Sequence, residues 1–118
     1  MEYLPLFVDL KDRKCLVVGG GEIAARKAGL LRKANAAVSI VAPEVSSSTK
    51  AMIDAGEVVW LKTIFETELL SNQMLVIAAT DDEMVNRDVY HHAKAKNILV
   101  NVADCPELCD FILPSILD

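Results

Sequence analysis

The stretch from Cys15 to Ala24, CLVVGGGEIA in one-letter code, decides the fold. An apolar run enters a glycine turn, and the turn opens a segment with helical spacing. Gly19, Gly21 and Ala24 occupy the small-residue positions of the fingerprint G-x-G-x-x-G/A. In this pattern the first glycine permits a tight turn, the second lets a pyrophosphate approach the backbone, and the last small residue lets the helix pack on the strand. The stretch therefore predicts a nucleotide site, with phosphate held by the N–H groups and dipole of the new helix.

The length and composition are those of one globular domain. The chain has 118 residues, of which 53% are hydrophobic, enough for a packed core. A formal net charge of −5 argues against nonspecific nucleic-acid binding, which draws its affinity from Lys and Arg. No apolar run approaches the roughly 18 residues of a membrane span, and Met1 to Leu10 lacks the basic and apolar regions of a signal peptide. We therefore expect a cytoplasmic protein with neither a nucleic-acid nor a membrane partner.

The cysteines and histidines predict no metal site. Cys15 falls inside an apolar strand, where a thiol packs as a small hydrophobe. Cys105 and Cys109 have a C-x-x-x-C spacing without a second pair of ligands, whereas a structural zinc site generally has four. His91 and His92 are neighbours on a predicted helix, so their rings point in different directions. Three cysteines without paired spacing favour a reducing compartment.

Apolar β-rich segments alternate with helical segments along the chain, as in a parallel sheet covered on both faces. We expect strands at Lys14–Val18, Ala37–Ala42, Val58–Lys62, Met74–Ala79 and Ile98–Val102, and a short one at Phe111–Leu113. Helices are expected at Glu22–Lys33, Val45–Ala55 and Glu83–Lys96, with a helical turn at Glu66–Leu70. The second helix is expected to begin through the hydroxyls of Ser46 to Ser48 and to end at Gly56. The third is expected to be capped by Asp81 or Asp82. The fold class is α/β, a Rossmann-type doubly wound, mainly parallel sheet with helices on both faces.

Candidate binding residues lie where the strands end, because ligands of open α/β sheets bind beyond the carboxyl ends of the strands. These residues are Gly19 to Ile23, Pro43 and Glu44, Thr80 to Asp82, and Asn101 to Asp104. Glu44 follows Ala24 at about the spacing of the acid that binds the ribose in dinucleotide sites. The alternative is an exposed acid that begins the next helix. If Glu44 faces the ribose, its charge disfavours a 2′-phosphate and favours NAD over NADP.

Asp104 is the candidate for chemistry. It follows the apolar run Ile98 to Ala103 and precedes Cys105 and Pro106, where the chain must turn. A carboxylate there can accept a proton from a substrate beside a nicotinamide ring, or help to carry a metal ion. The alternative is a loop aspartate that caps the next turn. The residues alone leave both interpretations open.

Four segments together resemble the N-terminal module of the siroheme synthase family. They are Tyr3 to Phe7 (YLPLF), Val17 to Lys27 (VVGGGEIAARK), Val76 to Asp82 (VIAATDD) and Asn101 to Phe111 (NVADCPELCDF). The pattern Asn-Val-x-Asp-x-Pro-x-x-Cys-x-Phe in the last segment is far more specific to the family than the glycines are. The resemblance covers essentially the whole chain, although Cys105 stands where similar sequences often carry a polar or acidic residue.

The resemblance implies NAD-dependent dehydrogenation of precorrin-2 to sirohydrochlorin, followed by insertion of ferrous iron to give siroheme. It implies that Asp104 takes part in both steps, as general base and then as proton acceptor or transient metal contact. It maps NAD binding to Glu22, Ile23, Pro43 and Glu44, which join Gly19, Gly21 and Thr80 in the predicted cofactor site. The implied partners are the two tetrapyrroles, ferrous iron as a substrate, and a second copy in a homodimer of the full-length protein.

The ending Pro114 to Asp118 is abrupt, so we expect residues 1–118 to be one N-terminal module of a longer protein, incomplete for catalysis. Two other functions compete with the siroheme hypothesis. One is a ligand-sensing Rossmann module like those that regulate potassium transport, which usually has an acid directly at the end of the second strand. The other is an NAD-dependent oxidoreductase that acts on a different small substrate.

Overall fold

A five-stranded parallel sheet forms the centre of the molecule in a computed structural model that describes residues 2–113. Its strands are β1 (Lys14–Val18), β2 (Ala37–Val41), β3 (Val59–Leu61), β4 (Leu75–Ala78) and β5 (Leu99–Val102). They lie in the order β3-β2-β1-β4-β5, and every neighbouring pair is parallel. The winding direction reverses between β1 and β4, which in open α/β sheets is the point where ligands bind.

Three α-helices connect the strands and cover both faces of the sheet. They are α1 (Glu22–Lys33), α2 (Ser47–Asp54) and α3 (Glu83–Ala95), and single 3-10 turns lie at Thr67–Leu70 and Pro106–Leu108. One core cluster contains the buried face of α1 and part of α2, and the other contains the buried face of α3. The predicted fold class, a doubly wound Rossmann-type sheet, is therefore confirmed.

The two core clusters explain why the strand sequences are mostly apolar. Cys15 and Val17 of β1 belong to the cluster under α1, whereas Leu16 and Val18 belong to the cluster under α3. Successive side chains of a strand point to opposite faces, so a strand covered on both faces buries every residue. The prediction that Cys15 packs as a buried hydrophobe is confirmed, since its exposed fraction is 0%.

Side chains begin two of the helices as predicted. The Ser46 hydroxyl accepts a hydrogen bond from the Thr49 N–H at the start of α2, and the Asp82 carboxylate accepts from the Met84 N–H at 2.9 Å at the start of α3. Asp82 is therefore the cap of α3, not Asp81. Gly56, in the left-handed region with φ +75°, follows the end of α2. The predicted strand and helix ends elsewhere differ from the observed ones by a few residues at most.

The predicted strand at Phe111–Leu113 is wrong, because the side chains of Cys109 and Asp110 and one backbone bond of Asp110 occupy the outer edge of β5. The Asp110 N–H donates to the Val100 carbonyl at 2.7 Å, and the Asp110 carboxylate accepts from the Val100 N–H at 3.1 Å. Cys109 Sγ accepts from the Val102 N–H at 3.3 Å. The Phe111 carbonyl then accepts from the Asn101 amide, and the Phe111 ring packs on the core. The ending from Pro114 onward lies outside the described residues.

No helix within residues 2–113 is both long enough and apolar enough to span a bilayer.

Candidate cofactor site

An open cavity of about 920 Å³ lies at the carboxyl ends of β1 to β4. A volume of this size lies in the range of small-molecule and cofactor sites. Its walls come from the segments that follow four strands and from the first turns of α3, and they include Gly19 to Ile23, Ala42 to Ser46, Thr63 to Phe65, Ala79 to Asp81, Val85 and Asp88. All the predicted cofactor-binding residues are therefore among the residues that line one cavity.

The glycine turn fits a ligand that lies close to the backbone. Gly19 has φ +134°, and a Cβ on it would stand 2.4 Å from the Ala79 carbonyl oxygen. The loops after β1 and β4 thus touch at a point where only glycine fits. A Cβ on Gly21, in contrast, would meet nothing within 4 Å, so the space beside this residue is open. The turn thus combines a tight contact at Gly19 with open space at Gly21, as the fingerprint requires for the approach of a pyrophosphate.

Gly20 has a structural role that the sequence analysis did not assign. A Cβ on Gly20 would lie 2.4 Å from the Glu44 carbonyl oxygen and 2.9 Å from a side-chain carbon of Val45. The loop after β2 therefore rests directly on the glycine turn. The fingerprint allows any residue at position 20, so a glycine there is a sequence signal for a close contact of the backbone.

The positive charge at the cavity comes from the partial charges of backbone N–H groups, since no basic side chain is among the lining residues of the described chain. Gly21 is the N-cap of α1 and makes no capping bond with a side chain. The first N–H groups of a helix lack partners within the helix and, with the dipole, attract anions. Within residues 2–113, the residues that line the cavity include Glu22, Glu44, Asp81 and Asp88 but no Lys, Arg or His. Phosphate charge would therefore be held by N–H groups alone.

Pro43 and Glu44 lie on the loop between β2 and α2, exposed and beside the cavity. Because α2 begins only at Ser47, Glu44 lies outside the helix. The Trp60 indole N–H donates to the Ala42 carbonyl at 2.9 Å and holds the start of this loop. Glu44, the residue that the fingerprint spacing predicts as the ribose-binding acid, is thus among the exposed residues that line the cavity.

Thr80 is fixed by Asn86, a buried residue of α3 that the sequence analysis missed. Asn86 Oδ1 accepts from the Thr80 N–H at 3.1 Å and from the Thr80 hydroxyl at 2.7 Å. The Asn86 Nδ2 group donates to the Thr80 carbonyl at 3.0 Å. With its backbone and hydroxyl engaged in this way, Thr80 forms a rigid wall of the cavity. A lone Asn within a helical pattern gives no sequence signal for this role.

The structure places Asp104 at the same edge of the sheet but outside the lining of the cavity. It follows β5, is exposed, and adopts a left-handed conformation with φ +59°. Asp104 does not cap the Pro106–Leu108 turn, whose N-cap is Cys105 without a side-chain bond. No hydrogen bond or ion pair engages the Asp104 carboxylate within residues 2–113. The carboxylate is thus available to a group outside the part of the chain described here.

The three cysteines are free thiols. Cys109 Sγ bonds to the backbone of Val102, and burial raises the pKa of this thiol. A hydrogen bond to Glu107 raises the pKa of Cys105. Within residues 2–113, no cluster of three or more His, Cys, Asp or Glu side chains has the arrangement of a metal site.

Thr63 to Phe65 line the cavity although the sequence analysis did not select them. They follow β3, and the rule that ligands bind beyond the carboxyl ends of strands applies to β3 as it does to its neighbours. Ile64 is 65% exposed there, so the segment adds an exposed apolar side chain to the lining of the cavity.

The strand order, the glycine turn and the cavity at the winding reversal define a dinucleotide-binding Rossmann unit. A family model with the description "Putative NAD(P)-binding" matches residues 6–115, and the chain belongs to this family. The cofactor class is therefore a nicotinamide dinucleotide.

Curated relatives and a solved structure are similar to the whole chain. The siroheme synthases of Methylobacillus flagellatus and Nitrosococcus oceani are 54% and 48% identical over 118 residues, which is all of this chain and 25% of each relative. The chain thus spans about a quarter of the length of these relatives. The structure of SirC, a precorrin-2 dehydrogenase, matches with a TM-score of 0.83 and 32% identity, over 96% of this chain and 55% of that one. The resemblance to the siroheme synthase family is confirmed.

Proposed function

We propose that this chain is the NAD-binding module of an enzyme of siroheme biosynthesis that dehydrogenates precorrin-2 to sirohydrochlorin. The observation that carries the proposal is the match to SirC, a precorrin-2 dehydrogenase, which combines a TM-score of 0.83 with 32% identity over 96% of the chain. A sensor module, the competing function, has no need of the Asp104 motif, and the curated relatives bear the name siroheme synthase.

We further propose NAD, and not NADP, as the cofactor. A 2′-phosphate adds negative charge beside the ribose and is usually met by an arginine. In the described residues the cavity lining includes Glu44, the acid at the fingerprint spacing, and no Lys, Arg or His. The Glu44 carboxylate can accept a hydrogen bond from a free 2′-hydroxyl, and it repels a phosphate there.

The positions of the residues support a separate role for each of them. When bound, NAD accepts a hydride from the tetrapyrrole. The N–H groups at the glycine turn hold the diphosphate, Glu44 orients the ribose, and Thr80 forms the wall beside Gly19. Asp104, whose carboxylate has no partner in residues 2–113, takes the proton that the substrate loses with the hydride.

The chelatase step, the longer protein and the assembly belong to the same proposal. The Asp104 carboxylate accepts pyrrole protons as ferrous iron, a substrate, enters sirohydrochlorin. Arg26, Lys27 and Arg87 are the bases of this module that can pair with tetrapyrrole carboxylates. The module is the N-terminal part of a longer, cytoplasmic and homodimeric protein, whose remaining region completes the tetrapyrrole pocket.

A chimera tests the dehydrogenase function. The chain replaces the matching quarter of the Methylobacillus flagellatus siroheme synthase, and NADH formation is followed by absorbance after addition of precorrin-2 and NAD. We expect NADH to form from NAD, and NADPH to form more slowly when NADP replaces NAD. A chimera that binds NAD but forms no NADH would contradict the dehydrogenase function. Tight ATP binding without NAD binding would favour the sensor.

A further inference from the structure

Thr49 has a polar side chain that is buried in the core, and the nucleotide fingerprint does not explain why a polar residue occupies this position. It lies on α2, its exposed fraction is 0%, and it is the one fully buried residue of that helix. Burying a hydroxyl costs free energy unless the hydroxyl is hydrogen-bonded, and valine would fill nearly the same volume. The partners of the hydroxyl therefore indicate why a threonine occupies the position.

The Thr49 hydroxyl bonds to the glycine turn. It donates to the Gly20 carbonyl oxygen at 3.0 Å, with the Gly21 carbonyl oxygen 3.4 Å away. The Ser46 hydroxyl lies 3.2 Å from the Thr49 hydroxyl, and the Ser46 N–H donates to the same Gly20 oxygen at 2.7 Å. Two donors from the start of α2 thus converge on one carbonyl of the cofactor-binding turn.

Fixing this carbonyl also fixes the next N–H group. In a trans peptide the C=O of one residue and the N–H of the following residue point in opposite directions, and the described chain has no cis peptide bond. With the Gly20 carbonyl held toward α2, the Gly21 N–H points to the other side of the turn. Within residues 2–113 this N–H has no backbone acceptor, and the space beside Gly21 is open.

We propose that Thr49 is a positioning residue for the cofactor diphosphate, because its hydroxyl holds the Gly20–Gly21 peptide with the N–H directed at the phosphate. Thr49 touches no part of the cofactor. It also joins the glycine turn to the segment that carries Glu44, since Ser46 bonds to both Thr49 and Gly20. The proposal rests on the nicotinamide cofactor site and is independent of the tetrapyrrole reaction.

Calorimetric titration of the purified protein with NAD, ADP and adenosine tests this role in Thr49→Val and Thr49→Ser. Valine keeps the shape and removes the hydroxyl, whereas serine keeps the hydroxyl. We expect Thr49→Val to weaken NAD and ADP binding roughly three- to tenfold, the size of one lost hydrogen bond. Adenosine has no diphosphate, so its affinity should stay within about twofold of the wild-type value. Thr49→Ser should restore NAD binding.

Ser48→Ala is the matched control, since Ser48 is an exposed neighbour on the same helix, and it should bind all three ligands as the wild type does. If the valine variant fails to fold, Thr49→Ala carries the same comparison. Equal losses for adenosine and NAD, or unchanged NAD affinity, would overturn the proposal. A wild-type protein that binds neither NAD nor NADP would overturn the cofactor site as well. Intact NAD binding without NADH formation contradicts only the dehydrogenase function.

Discussion

The carbonyl oxygen of Glu44 lies directly against Gly20, where a Cβ on residue 20 would stand 2.4 Å from it. This contact joins two segments that the fingerprint treats as separate, the glycine turn and the loop that bears Glu44, the proposed ribose-binding acid. The segments proposed to bind the phosphate and the ribose are thus packed together at a position where a side chain larger than that of glycine does not fit.

Gly20→Ala should therefore weaken NAD binding at least tenfold, because the added methyl forces the loop after β2 to move. The overpacking should also lower the free energy of unfolding by about 1–3 kcal/mol. Gly29→Ala is the matched control, since Gly29 lies in α1 and a Cβ there meets nothing within 4 Å. It should leave NAD affinity unchanged and stabilise the helix by up to about 1 kcal/mol. Equal NAD affinities in the two variants, measured by calorimetry, would refute the contact's role.

Glu44→Arg should shift the cofactor preference from NAD toward NADP. The substitution removes the carboxylate that repels a 2′-phosphate and adds the guanidinium that pairs with it. We expect the ratio of the two dissociation constants to change by at least roughly tenfold, the size of one charge-assisted hydrogen bond. Glu57→Arg makes the same charge change at an exposed position outside the cavity lining and should leave the ratio alone. An unaltered ratio in Glu44→Arg would remove Glu44 from the ribose site.

Asp104→Asn should abolish most NADH formation from precorrin-2 in the chimera and leave NAD affinity nearly unchanged. Loss of a positioned general base typically costs about 10²- to 10⁴-fold in rate. Asp12→Asn is a close control, because Asp12 is also an exposed left-handed aspartate, with φ 60° against 59° for Asp104. Asn tolerates this conformation, so neither substitution strains the backbone. Wild-type turnover in Asp104→Asn would exclude a catalytic carboxylate at this position.

Asn86→Ala should destabilise the protein and loosen the cavity wall at Thr80. The substitution leaves the Thr80 N–H and carbonyl without their partner, and an unsatisfied buried group costs about 1–3 kcal/mol. Chemical denaturation measures the loss, and calorimetry should show weaker NAD binding. Met84→Ala, at a residue of α3 that is 82% exposed, should change neither quantity. If the two variants have the same stability, the Asn86 bonds contribute nothing.

Cys15 should make stability fall as the solution becomes alkaline. Burial raises the pKa of its thiol to about 11, whereas an unfolded cysteine ionises near pH 8.5. Between these values only the unfolded chain releases the proton, so the free energy of unfolding decreases as pH rises through this window. Urea unfolding on both sides of the window should show a smaller decrease in Cys15→Ala than in the wild type. Identical decreases would mean that Cys15 ionises equally in both states.

The elements that carry the cofactor turn could be predicted from the sequence to the residue. Both β1 and α1 have the predicted bounds, because an apolar run, a glycine turn and a helical stripe are all local patterns. The strand predicted at Phe111–Leu113 was wrong because contacts between distant residues, and not a local pattern, decide the structure there. Its apolar residues look like a strand, but side-chain bonds from Cys109 and Asp110, which follow no periodic pattern, already fill the adjacent edge.

The candidate site could be predicted only in outline. The rule for strand ends found Glu44 and Thr80, since it depends on topology alone. The contacts that hold these residues could not be predicted from the sequence. They are the close approach at Gly20 and the hydrogen bonds of Thr49 and Asn86, and all of them depend on how distant segments pack together. Thr49 and Asn86 are polar residues within helical patterns, where sequence gives no reason to expect burial.

The side-chain bonds along β5 also bear on how the module behaves beside other proteins. An outer strand with unpaired N–H and carbonyl groups is a template for strand addition and aggregation. Here Cys109 and Asp110 use up these groups on one edge, and the strand at the other edge, Val59–Leu61, has only three residues. Neither edge of the sheet therefore presents a long row of unpaired backbone groups. We expect this to disfavour strand addition between copies of the module, even at the high protein concentration of a cell.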